Sequence, residues 1–141
     1  MSLAVLAPNA VLLAFRPVGG FPAIRDAGLV FTLLERAGQA GCLALLTMSG
    51  VSGLDGWAIA ALGAIAVYWG LWLRYLARGR HFADLYAPLG VVPVPMAVFP
   101  VAAFALSAAW ALSPWLSIAV FALAVGHLAN SWAIRQSIRR G

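Results

Sequence analysis

The chain alternates long apolar runs with short polar breaks, and the lengths of the runs carry the first inference. No Asp, Glu, Lys or Arg occurs from Trp57 to Leu73. None occurs from Leu85 to Ile134 either, a stretch of fifty residues interrupted only by His127 and the turn signal Ser113-Pro114. At a rise of about 1.5 Å per residue, the second run holds two helices joined by a tight hairpin. A further apolar segment, 27–48, is broken only by Glu35-Arg36. Crossing a hydrocarbon core about 30 Å thick takes roughly 20 apolar residues. The pattern therefore predicts an all-α, small polytopic membrane protein with four transmembrane helices at about 27–48, 56–75, 89–112 and 115–135. The third is expected to be Pro-broken. Pro93, Pro95 and Pro100 would each remove an i→i−4 hydrogen bond and free the carbonyls of Leu89, Val91 and Met96.

Residues 1–26 form a separate expectation. The run Leu3–Phe15 is apolar but about thirteen residues long and contains Pro8-Asn9, too short to span. It reads as a cytoplasmic interfacial or re-entrant segment ahead of the four-helix domain at 27–141. No basic region precedes Leu3, so a cleaved signal peptide is not expected.

Composition sharpens the class. Of 141 residues, 64% are apolar and only 9% charged, against roughly a quarter charged in a soluble domain. A soluble globule is excluded. The net charge of +5 is carried by nine arginines and no lysine. Arg16 and Arg25 precede the first span, Arg74, Arg78 and Arg80 follow the second, and Arg135, Arg139 and Arg140 follow the fourth, while the segments 49–56 and Ser113-Pro114 carry none. By the positive-inside rule both termini are expected in the cytoplasm, in a plasma (inner) membrane. The same placement accounts for the charge without nucleic acid, which is not expected as a partner. Trp57, Trp110 and Trp115 fall at the expected outer boundary, and Trp72, Tyr75 and Trp132 at the inner one, as interfacial aromatic belts.

Chemistry-bearing motifs are sparse. The lone Cys42 excludes a disulfide, a CxxC pair and a multi-thiolate metal site. HExxH, GxGxxG, a phosphate loop and GxSxG are absent; Gly50-Val51-Ser52-Gly53 has the wrong spacing for a nucleophile elbow. No cofactor or metal is expected.

What remains is the polar content of the spans. Glu35 lies eight residues inside the start of the first span and His127 eight residues before the end of the fourth, so both are expected about 12 Å deep on the cytoplasmic side. Thr32, Glu35, Gln39 and Cys42 make one helical stripe, with Arg36 about 100° away; His127, Asn130 and Ser131 make another. Tyr68 and Trp69 reach a similar level. These residues predict a pocket open to the cytoplasm, lined by Glu35, Gln39, Tyr68, His127 and Asn130, with Arg36 and Arg74 at its rim. Intramembrane Gln, Asn and Ser also serve as interhelical glue, whereas an intramembrane Glu is by default a functional group. In the 74–86 loop, Arg74 and Arg78 share a helical face and, with Arg80 and Arg36, are candidates for an anionic lipid or phosphate, although topology alone also explains them. Phe82 and Tyr86 suggest that this loop lies on the membrane surface as a short amphipathic helix.

Three function classes fit. One is an oligomeric transporter or channel for a cation or small polar solute, using Glu35 and backbone carbonyls of the broken helix. Another is an accessory subunit of a larger membrane complex. The third is a membrane enzyme acting on a lipid-linked phosphate, with Glu35 and His127 as an acid–base pair. The small-residue pairs Ala37/Gly41 and Ala122/Gly126 permit close helix approach within or between subunits, so the expected partners are the bilayer and either further copies or other subunits.

Overall fold

A computed structural model describes residues 2–50 and 53–140 and is all-helical over them. The elements are α1 (Ser2–Leu6), α2 (Asn9–Ala14), α3 (Leu29–Met48), α4 (Gly56–Ala77), a 3₁₀ turn at Phe82–Tyr86, α5 (Pro95–Trp110) and α6 (Pro114–Arg140). Met1, Gly141 and the Val51-Ser52 pair of the loop expected outside the membrane lie outside the described residues. Among the described residues, α3, α4 and α6 are long and apolar enough to cross a membrane, which identifies a membrane protein.

Local chemistry sets the boundaries. Gly28, at φ 107°, ends the extended entry to α3, and Asp26 Oδ1 accepts its N–H at 3.0 Å. Asp55 caps α4 by accepting the Ala58 N–H at 2.8 Å. That helix ends in a left-handed Gly79, φ 87°, with the Arg80 N–H returning to the Tyr75 carbonyl at 3.1 Å. The hairpin between α5 and α6 uses the same device with Leu112 at φ 47°, followed by Ser113, whose Oγ accepts the Leu116 N–H at 3.2 Å, and by Pro114 at the first helical position.

The third expected span is corrected at its start. Residues 89–92 close a turn, with the Leu89 N–H and carbonyl both bonded to Val92 at 3.0 Å, and Pro95 opens the helix, where its missing N–H costs nothing. Only Pro100 interrupts the helix interior, so the Leu89 carbonyl is not freed and the one interior gap faces Met96. The resulting α5 has 16 residues, about 24 Å by the helical rise.

Two pairings organise the bundle: α3 lies along α6, α4 along α5, and α5 joins the pairs through α6. Large apolar side chains such as Leu33, Ile59, Leu62, Ile118 and Phe121 point outward, while the inner face of α4 carries Ala58, Ala61, Ile65, Tyr68, Trp72 and Tyr75. The start of that inner face is small, Ala58 and Ala61, and lets helices approach closely, while its later turns bury large aromatic rings. The tightest contact is between α3 and α6. A Cβ on Gly126 would fall on the Glu35 amide nitrogen and the Phe31 carbonyl, and one on Gly38 would fall on the Leu123 amide nitrogen. Of the expected small-residue pairs, Gly126 and Gly41 are therefore used within this chain, joined by Gly38.

The N-terminal segment packs into the bundle. Val5 and Pro8 are buried. The Tyr68 hydroxyl donates to Asn9 Oδ1 at 2.8 Å, the Trp69 Nε1–H to the Ala4 carbonyl at 2.9 Å and the Tyr75 hydroxyl to the Phe15 carbonyl at 3.0 Å. Two of the expected belt residues are thereby corrected. Trp72 and Tyr75 are 5% and 1% exposed and belong to the interior, whereas Trp57, Trp115 and Trp132 stay exposed.

Candidate functional site

The α3–α6 contact delivers the site. Because Gly126 lets the two backbones touch at Glu35, the next residue on α6, His127, places Nδ1 at 2.8 Å from Glu35 Oε1. One turn further on, Asn130 Nδ2 donates to Glu35 Oε2 at 2.6 Å, and Asn130 Oδ1 accepts the Ala27 N–H at 3.1 Å. Both carboxylate oxygens are thus engaged, and the network ties the approach to α3, α3 itself and α6 together. Asn130 is 7% exposed, yet the side chains of His127 and Glu35 keep 29% and 23% of their surface open.

That open surface faces a cavity of about 450 Å³ lined by residues of all six helices. Glu35, Arg36, Gln39 and His127 form its polar wall. Tyr68 and Trp72 of α4, Phe104 and Pro100 of α5, and Tyr86 of the 3₁₀ turn form an aromatic and apolar wall; α1 and α2 close a third side with Val5, Leu6 and Asn9. Trp72 and Tyr68 meet edge to face, with centroids 6.4 Å apart. The Trp72 Nε1–H is buried beside the Tyr68 hydroxyl. Asn9 and Arg36 are exposed, so the cavity communicates with the outside along their edge.

Of the residues expected to line the pocket, Glu35, Gln39, Tyr68 and His127 lie on this cavity, and Asn130 stands behind Glu35 as its hydrogen-bond partner. Arg36 also lies on it. Arg74 does not; its guanidinium donates to the Ala87 and Pro88 carbonyls at 3.2 and 3.4 Å and braces the α4–α5 connection. Arg78 is exposed at the end of α4, and the Arg80 carbonyl accepts the Val18 N–H at 3.0 Å, holding down the N-terminal segment. The 3₁₀ turn is more than a surface helix, since Leu85 enters the core and Tyr86 reaches the cavity. Burial, with the Glu35 charge adding to it, pushes the Tyr86 hydroxyl up to about 12.

Sequence reasoning missed Asn9, Trp72, Tyr86 and Phe104. The first three had a signal: Asn9 interrupts an apolar run, Tyr68, Trp72 and Tyr75 share one stripe of α4, and Tyr86 is a polar-tipped aromatic beside Leu85. Among the described residues no group of three His, Cys, Asp or Glu is placed to hold a metal ion. No protein-family model, curated protein or solved structure matches this chain.

Proposed function

We propose that the chain is a four-span carrier, with α5 as the short fourth crossing and both termini in the cytoplasm of a plasma (inner) membrane. It takes a small, uncharged polar solute into the cavity and uses Glu35–His127 as the proton-exchanging pair at the site. The observation that carries this reading is the cavity of about 450 Å³, within the range of small-molecule sites, with a carboxylate–imidazole pair on its wall. A cation is the weaker cargo. Both Glu35 oxygens already accept hydrogen bonds, and Arg36 stands next to them on the same wall. The phosphate-enzyme reading also loses ground, because Arg74, Arg78 and Arg80 lie off the cavity. A carrier of this size works as a homo-oligomer or within a larger membrane complex.

The test has two stages. Native mass spectrometry of protein purified from membranes should show a bound small molecule that Ala97→Phe, which fills the cavity from α5, removes. In reconstituted vesicles, Glu35→Gln should abolish uptake of that molecule while leaving detergent-stable folding intact, since Gln still accepts from Asn130. An empty wild-type cavity, or uptake unchanged by Glu35→Gln, refutes the reading.

A further inference from the structure

The cavity's hydrogen-bonding groups select among small solutes. His127 directs Nδ1 to Glu35, which leaves Nε2 as the ring's remaining nitrogen on a side chain that faces the cavity. An imidazole whose Nδ1–H is held by a carboxylate presents Nε2 as an acceptor. The cavity therefore offers an acceptor for an O–H donor.

Shape and polarity add a second constraint. Opposite the polar wall the lining is aromatic and apolar, built by Tyr68, Trp72, Tyr86, Phe104 and Pro100. Edge-to-face and offset contacts with such rings favour a flat aromatic body. A hydroxyl group is both donor and acceptor.

We propose that the solute is a ring-hydroxylated aromatic compound, of the phenol or hydroquinone class. Its ring lies against the aromatic wall, and one hydroxyl donates to His127 Nε2. This inference rests on the cavity being a solute site, and it is tested separately from transport.

The experiment is titration calorimetry in lipid nanodiscs with 4-butylphenol and its methyl ether, 4-butylanisole, each corrected for partition into empty nanodiscs. The two probes share their apolar body and differ in the O–H donor. For the wild type the phenol should bind about tenfold more tightly, the weight of one good hydrogen bond. His127→Leu should erase that preference while leaving the ether's affinity unchanged. Since His127 also joins α3 to α6, its variant is checked for an unaltered unfolding midpoint. Ala97→Phe should block both probes. Equal affinity of the two probes, a preference that survives His127→Leu, or no saturable binding of either probe overturns the aromatic-hydroxyl proposal. A solute found on the purified protein would in each case leave the carrier reading standing.

Discussion

Gly126→Ala is the most direct perturbation of this architecture, because it acts on the backbone contact that brings the polar pair together. A Cβ at this position would overlap the Glu35 amide nitrogen and the Phe31 carbonyl and would sit 2.8 Å from Glu35 Cα, where ordinary contact begins at 3.4 Å. The clash is with backbone, so no side chain can turn aside to relieve it. The helices must part by at least about 0.6 Å, the gap between those two distances. A comparable shift would take His127 Nδ1 from 2.8 Å to the edge of hydrogen-bonding distance from Glu35. Overpacking costs about 1–3 kcal/mol, and an interhelical hydrogen bond in a membrane adds about 0.6–1.7 kcal/mol. The expected loss is therefore about 2–4 kcal/mol. Unfolding by SDS titration in mixed micelles measures it. Gly63→Ala is the control, since a Cβ there meets nothing within 4 Å; it should be neutral or stabilising by up to about 1 kcal/mol, the helix-propensity gain that both substitutions share. If Gly126→Ala matched Gly63→Ala, the close α3–α6 approach, and with it the geometric origin of the site, would be wrong.

Further outcomes follow from the same geometry. In a Cys42→Ser background, cysteines at 35 and 127 should oxidise to a disulfide in membranes, whereas a 33/127 pair should stay reduced because Leu33 is 59% exposed on the opposite face of α3; the reverse pattern on gels would refute the pairing. Reporters fused after residue 141 and within 77–88 should read cytoplasmic, and one within 49–56 should read external; a cytoplasmic 49–56 would overturn the proposed topology. The Tyr86 hydroxyl, raised to about 12 against an ordinary value of 10, favours the folded state fully below pH 10. Between pH 10 and 12 the unfolded chain loses this proton first, so the benefit disappears as pH rises. Tyr86→Phe should then flatten the alkaline fall in unfolding midpoint over that window, and an identical fall in the variant would refute the burial argument.

How far the sequence carried the fold can be traced through particular residues. Uncharged runs located α3, α4 and α6 to within a few residues because lipid excludes charge, a constraint read directly from composition. Equal distance from the ends of their helices placed Glu35 and His127 at one depth, and the two side chains do meet. Hydropathy does not, however, distinguish lipid from protein as the neighbour of an apolar face. Trp72 and Tyr75 occur at the right depth for an interfacial belt, yet the same depth on the inner face of α4 buries them. Register is equally hidden. Gly41 and Gly126 were visible as small residues, but that Gly38 joins them, and that Ala37 lies exposed, follows from which way α3 is rotated against α6.

The N-terminal helices show where local reasoning stops. Thirteen apolar residues with a proline are too short to span, and that argument says only what the segment cannot do alone. What holds α1 and α2 is tertiary: three hydrogen bonds from Tyr68, Trp69 and Tyr75 reach back sixty residues or so in sequence. The walls of the cavity consequently differ in kind. The α3–α6 wall is backbone against backbone, with Gly126 leaving no slack and the Glu35–His127–Asn130 network spanning the joint. The α1–α2 wall consists of two helices of five and six residues attached through side chains. Short helices held by few contacts open at a lower free energy than packed long ones. On the proposed carrier reading, a solute would reach Glu35 and His127 past Asn9 with the pair left intact, whereas parting α3 from α6 would break that pair.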